Sequence, residues 1–284
     1  MAKNSTKTLS QMRLDTLRTL NATFVIDQFS TLNELFSSPV PAANLVSPPS
    51  TGYPTLQYLG IGRGGAQNVI GAGTNNLINE YIHLATDANF FQMIPFLAVP
   101  VSADISPTLR ANYRLRVLET YNGVQYFVYY LKVISVNSTL SEQLITVVNG
   151  IVTATNTYVP SSVSLSPTAS VLSNTTVNVA NGTQLVVQAT LTITLSETDL
   201  QNIVNACILK YGNSQYATIS ECGLVGGFDT SVTTTLGGVS ATYTEIQTAQ
   251  IMSFLPINLP LQNSISGISL PFTLSSSAPL PPSS

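Results

Sequence analysis

The residue types in this sequence that can do chemistry are a glycine cluster, one histidine, two cysteines and a few acids. Gly60-x-Gly62-x-x-Gly65 has the spacing that cradles a dinucleotide's pyrophosphate, and it follows a predicted strand, Thr55 to Leu59. That use of the motif needs a helix from its third glycine and an acid about 20 positions on. Here Gly71 and Gly73 interrupt the helix and the first acid is Glu80, so Gly60 to Gly73 reads as a long, mobile loop. No Gly-Lys-Ser/Thr follows any glycine cluster, which removes a phosphate-cradling P-loop.

His83 is the only histidine, so clusters of histidine ligands are excluded. A Ser-His-Asp triad would rest on that one residue with no nucleophile elbow nearby, and it reads as a polar residue between Tyr81 and Leu84. Cys207 lies on the apolar face of a predicted helix and Cys222 in an extended run, where cysteine acts as a small hydrophobe. Asp87, Asp104, Glu119 and Glu221 are formally available as a carboxylate pair for glycoside hydrolysis, but acids are few. The expectation is a chain without catalytic residues, cofactor or metal.

Composition bounds the partners. Charged residues make up 8% of the chain, against about 25% in an average globular protein. A surface that is polar but uncharged suits faces covered in an assembly. Net charge is −3, and from Gln143 onward Lys210 is the only basic residue, so no basic stripe exists to bind nucleic acid. The first segment is amphipathic, with Arg13, Asp15 and Arg18, and is not expected to be a secretory signal. No run reaches the ~20 apolar residues of a membrane-spanning helix. Two cysteines without CxxC spacing are expected to stay reduced at a cytosolic site of assembly.

The elements follow from periodicity. Apolar residues from Leu9 to Phe36 recur at helical spacing and predict one long helix, or two joined near Asn21. The crowded prolines between Pro39 and Pro54 form a linker. Ser106-Pro107 predicts an N-cap and first helical residue. Asn122-Gly123 between Tyr113–Tyr121 and Val124–Ile134 predicts a hairpin with a two-residue turn, and Asn149-Gly150 and Asn181-Gly182 sit between further Thr- and Val-rich runs. Ser196-x-x-Asp199 opens a helix that ends by Gly212. The fold class expected is α+β and mainly β: antiparallel, sandwich-like sheets from Asn-Gly hairpins, an N-terminal helix, and one helix covering the second sheet. The blocks are a helical arm over 1–38, a linker over 39–54, β-rich blocks over 55–136 and 137–255, and a Pro/Ser-rich tail over 256–284. The N-terminal helix, linker and tail are expected to act as arms that embrace a neighbour.

A two-residue turn fixes register, so Tyr121 faces Val124 and Val117 faces Val128. One hairpin surface, with Leu115, Val117, Tyr126, Val128 and Tyr130, is the core side. The other carries Arg114, Arg116 and Leu118 against Phe127, Tyr129 and Leu131, with Arg116 placed to stack on Tyr129. Arginine beside aromatics is the composition of interface hot spots, so this second surface is the candidate subunit contact, with coverage by a helix of the same chain as the alternative.

The strings Tyr58-Leu-Gly-Ile-Gly-Arg-Gly-Gly65, Ile94-Pro-Phe-Leu-Ala-Val-Pro-Val101, Asp104-Ile-Ser-Pro, Tyr113-Arg-Leu-Arg116 and Glu119-Thr-Tyr-Asn-Gly-Val-Gln-Tyr126 resemble virion structural proteins of contractile-tailed phages. Ala217-Thr-Ile-Ser-Glu-Cys-Gly-Leu-Val-Gly-Gly-Phe-Asp229 and Tyr243-Thr-Glu-Ile-Gln look like the same family's C-terminal block. The resemblance runs from about Tyr58 to Phe254 and departs from the family in its few charges and Thr/Ser-rich middle. It implies a non-enzymatic neck or collar ring component, assembled in the host bacterial cytoplasm and resident in the virion. Its partners would be further copies of itself and connector, tail or sheath proteins, with no nucleic acid or membrane bound. The alternatives are a baseplate or other tail protein, or a carbohydrate-binding, adhesin-like β-domain.

Overall fold

Asparagine and glycine at positive φ set the hairpins. The computed structural model describes residues 5–24, 26–27, 29–36, 52–70, 76–136, 138–165, 181–261 and 266–280. The elements run β1 (Thr6–Lys7), α1 (Leu9–Leu20), α2 (Leu32–Leu35), β2 (Thr55–Gly62), β3 (Ala66–Ile70), β4 (Asn76–Glu80), β5 (Met93–Ile94), β6 (Leu97–Pro100), α3 (Pro107–Arg110), β7 (Tyr113–Tyr121) and β8 (Val124–Val133). They continue with β9 (Ser138–Val148), β10 (Ile151–Thr157), β11 (Gly182–Leu195), α4 (Glu197–Tyr211), β12 (Thr218–Leu236), β13 (Val239–Pro260) and β14 (Ile268–Pro279). The fold is mainly β and antiparallel, as composition and turn signals predict.

Asn122 and Gly123 have φ of 51° and 79°, and the register they impose on β7 and β8 pairs Tyr121 with Val124, Val117 with Val128 and Arg116 with Tyr129. Asn149 and Gly150, at 52° and 77°, turn β9 into β10 in the same way. Gly237-Gly238, at 60° and 81°, joins β12 to β13, a turn that the sequence reading passed over. The strand expected before Asn181-Gly182 lies outside the described residues, and β11 pairs with β9.

The chain divides into two units, Met1–Val136 with Ile193–Leu270, and Asn137–Thr192 with Pro271–Ser284. The expected contiguous blocks are corrected here, because the neighbours of β2 in its sheet are β8 and the distant β12. In the first unit the sheet order is β1-β13-β12-β2-β8-β6, with β7 also on β8 and β5 on β2. Helix α1 is no free arm: Leu14 is buried in a cluster with Phe24, Ile26 and Met252. The Thr8 hydroxyl, which caps α1, also bonds the Ile251 carbonyl of β13 at 2.6 Å. Asn21 at φ 48° ends the helix, so the joint falls where expected, but the second helix is the single turn α2. Helix α4 has the expected capping box of Ser196 and Asp199, yet it belongs to the first unit and packs on β6 instead of covering the second sheet.

The second unit holds the sheet β10-β9-β11-β14, and the unit boundaries fall within β11 and β14. The Pro/Ser-rich tail is therefore partly strand, and Leu280 donates its N–H to the Thr183 carbonyl at 2.8 Å. An extended partner supplies the order that such a segment lacks alone.

Glycines let the centre of the first sheet close. Gly60 of β2 and Gly223 of β12 are register partners, and a Cβ on either would stand 2.7 Å or 2.6 Å from the Phe90 ring. The glycine stretch is thus a close-packed strand as far as Gly62, not the mobile loop its composition predicts; 71–75 fall outside the described residues. Phe90 covers the glycine pair and belongs to the main core with Tyr58, Leu115, Val128, Tyr130 and Ile251. Gly60→Ala and Gly223→Ala are each expected to cost about 1–3 kcal/mol in urea unfolding. Trimming the ring by Phe90→Leu should make the added methyl less costly; a loss as large in that background would disprove the packing.

Candidate functional site

Several polar groups of the first unit gather into clusters, one of which is built on the buried Glu221. Glu221 pairs with Gly62 across β12 and β2, and its carboxylate fills the space that a Cβ on Gly62 would take. Its Oε1 accepts the backbone N–H of Gly64 at 2.9 Å and of Gln92 at 3.0 Å. Its Oε2 accepts Phe91 N–H at 3.0 Å and meets His83 Nε2 at 2.6 Å. His83 Nδ1 lies 3.0 Å from Asp87 Oδ2, and the imidazole is stacked between Phe91 at 4.0 Å and Phe254 at 3.6 Å. Both ring nitrogens of His83 are thus engaged, and the polar residue expected between Tyr81 and Leu84 is a buried cross-link between two carboxyl groups.

Burial alone would raise the Glu221 carboxyl, but the His83 hydrogen bond and the three backbone donors outweigh it and hold it below the usual carboxylate range. A pocket of ≈ 200 Å³ opens beside Asp87, lined also by Arg13, Asp27, Ser30 and Gln250. It is smaller than the ~300 Å³ at which small-molecule sites usually begin.

The six residues of the candidate subunit contact are brought together, but inside the chain. Arg114, Arg116, Phe127, Tyr129 and Leu131 are buried and Leu118 is half-buried, so this surface is not open to a neighbour. The expectation is corrected, because the chain's own segments cover both hairpin faces. Arg114 forks onto Asp229, Nε to Oδ1 at 2.8 Å and Nη2 to Oδ2 at 2.7 Å, and Tyr58 donates its hydroxyl to the same carboxylate. Arg116 stacks on Phe127 at 4.3 Å and Tyr243 at 4.0 Å, not on Tyr129, and its Nη1 reaches Asp104 at 3.1 Å. Asp104 also takes Arg110 at 2.7 Å and the Tyr129 hydroxyl at 2.9 Å. The covering groups thus come from β12, β13 and the segment before α3, and not from a helix laid across the hairpin.

Glu245 is buried and accepts the N–H groups of Leu115, Arg116 and Ile246. The positive φ of Leu115, 57°, accompanies two consecutive amides aimed at this one carboxylate. Lys132 pairs with the capping Asp199 at 2.7 Å, and Lys210 pairs with Glu119 at 2.8 Å beside the hydroxyls of Tyr121 and Tyr130. Arg63 lies over the rings of Tyr211 and Tyr216. Of the four acids available for a carboxylate pair, Asp87 and Glu221 meet, through His83; Asp104 and Glu119 are engaged by cations elsewhere. Cys207 and Cys222 are buried, and burial pushes the Cys207 thiol up to about 12, which keeps it protonated and inert. Among the described residues no set of His, Cys, Asp and Glu is arranged to hold a metal ion.

The sequence reading missed the His83 site because its partners are remote: Glu221 is 138 positions away, and no local pattern links them. A folded-state carboxyl held low contributes stability that is fully present above its unfolded value, about 4.3, and is lost as pH falls through the lower folded value. Glu221→Gln is therefore expected to cost about 3 kcal/mol at pH 7 and to flatten the loss of stability as pH falls below about 5, read as urea midpoints across pH. An unchanged midpoint at pH 7 would refute the assignment.

No curated protein and no solved structure matches the chain. One family model does match, over residues 1–284, and the chain belongs to that family, the Family of unknown function (DUF7208).

Proposed function

We propose that this chain is a non-enzymatic structural subunit of a tailed-phage virion, a ring-forming component of the neck or collar that contacts connector or tail proteins. The observation that carries the proposal is the partition of charge between the two units. Residues 137–192 and 271–284 contain one charged side chain, Glu142. The same unit leaves Leu140 63%, Val148 46% and Ile151 68% exposed. A surface so poor in charge, with large apolar side chains in water, favours association over dispersion.

The first unit supports the same reading from inside. Its described ionic side chains are largely spent on internal pairs, which hold a framework together and leave little to activate a substrate. The resemblance of the strings between Tyr58 and Phe254 to phage virion proteins supplies the setting. A sugar-binding domain would need aromatic platforms in the open. Tyr58, Tyr113, Tyr129 and Tyr130 are buried, whereas Tyr81 and Phe91 pair edge to face and are exposed, which is the observation that favours this second reading.

The purified full-length chain is expected to show, by light scattering, a mass several times its 30.2 kDa and to form rings in negative-stain images. A folded chain that stays monomeric at every concentration and binds glycans would replace this reading with the adhesin-like one.

A further inference from the structure

The chain contains three Asn-Gly pairs, two of which form hairpin turns. The same dipeptide is open to an internal reaction. With no side chain in the way, the glycine nitrogen can attack the side-chain amide carbon of the asparagine before it. Closing that five-membered ring requires the nitrogen to lie on the same side of the Cα–C bond as the asparagine Cβ.

Asn122 and Asn149 do not offer that geometry in the folded chain. At φ of 51° and 52° both are left-handed, a conformation whose ψ carries the next nitrogen nearly opposite the Cβ. Each is also clamped by the ladder pair that flanks its turn, Tyr121 with Val124 and Val148 with Ile151. Asn181 differs on both counts. It is exposed, it lies outside the positive-φ region, and it stands just before the first pair of β11 with β9, Gly182 opposite Val147. Its side-chain Oδ1 accepts the backbone N–H of Asn149 at 2.8 Å. Negative charge develops on this oxygen when the amide carbon is attacked, so the N–H donor favours the attack.

We infer that Asn181 is a site of spontaneous deamidation in the folded protein, through a succinimide formed with Gly182, while Asn122 and Asn149 are protected. The Gly182 nitrogen gives its proton to hydroxide and bonds to Asn181 Cγ; the Cγ–Nδ2 bond breaks and ammonia leaves. Water then opens the ring at either carbonyl, to aspartate or isoaspartate, with no oxidant or cofactor involved. The product puts a new carboxylate into a unit whose one charged side chain is Glu142. The inference rests on the fold alone and not on the assembly reading.

The test follows the full-length chain in mildly alkaline buffer, native in one arm and unfolded in guanidinium chloride in the other. Conversion at each Asn-Gly pair is read by proteolysis and mass spectrometry, with isoaspartate distinguished from aspartate. Unfolded, the three pairs should convert at similar rates. Native, Asn122 and Asn149 should slow by about tenfold or more, because their turns must first open. Asn181 should keep its unfolded rate or exceed it, with isoaspartate as the main product. In Asn181→Gln the acidic species that accumulates on isoelectric focusing of the native chain should disappear, since glutamine does not close the five-membered ring. Native protection of Asn181 as strong as that of the other two, three rates that stay alike in both arms, or an acidic species that persists in Asn181→Gln would each overturn the assignment.

Discussion

A carboxylate removed from water must be met by donors, and the first unit is organised around meeting that demand at Glu221. Its two oxygens collect three backbone N–H groups and an imidazole from segments that are far apart in sequence. Those donors come from the turn after β2, from the residues before β5 and from the segment after β4. Without the carboxylate, three backbone amides and the Nε2 of His83 would lose their partner, at a cost of up to about 1–3 kcal/mol for each group left unpaired. Gly62 makes the arrangement possible, because any side chain at that register position would occupy the space of the carboxylate. The Phe91 and Phe254 rings then shield the imidazole on both faces.

Related pairings recur at the buried Glu245, which meets paired backbone amides, and at the less buried Asp104 and Asp229, which meet arginines and tyrosine hydroxyls. In a chain with 8% charged residues, this use leaves few charges for the exterior, among them the exposed pairs Lys7–Asp15 and Arg13–Asp27. Two units result with opposite habits: one knits ionic groups into its interior, and the other does almost without them.

What could be read from the sequence was local. Asn122-Gly123 and Asn149-Gly150 set turns and register through the positive φ values that Asn and Gly adopt at little cost, and Ser196 with Asp199 marked the start of α4. The apolar character of the β7–β8 hairpin was also legible, but which of its faces would be covered was not. Arg114 and Arg116 look like surface residues until Asp229, Asp104 and Tyr243 arrive from elsewhere in the chain. The glycine stretch misled for a related reason: Gly60 signals freedom by itself and close packing once Phe90 and Gly223 are beside it. His83 was opaque because a side chain 138 positions away determines its role. The swap of Leu115 into positive φ has no cue in its residue type, since the favourable term is supplied by Glu245.

The insertion of residues 137–192 of the second unit between Val136 and Ile193 has a bearing on how the chain is made. Strand β2 leaves the ribosome early, yet the strand that lies along its other edge, β12, follows more than 150 positions later, as the 157-residue span from Gly64 to Glu221 shows. At about 5–20 residues per second, that edge waits roughly 8–30 s for its neighbour. During that interval the nascent chain carries an open, glycine-rich strand that any extended segment could pair with. Birth of this chain is thus a period of exposure, in which crowding on a polysome would favour mispairing between neighbouring nascent chains.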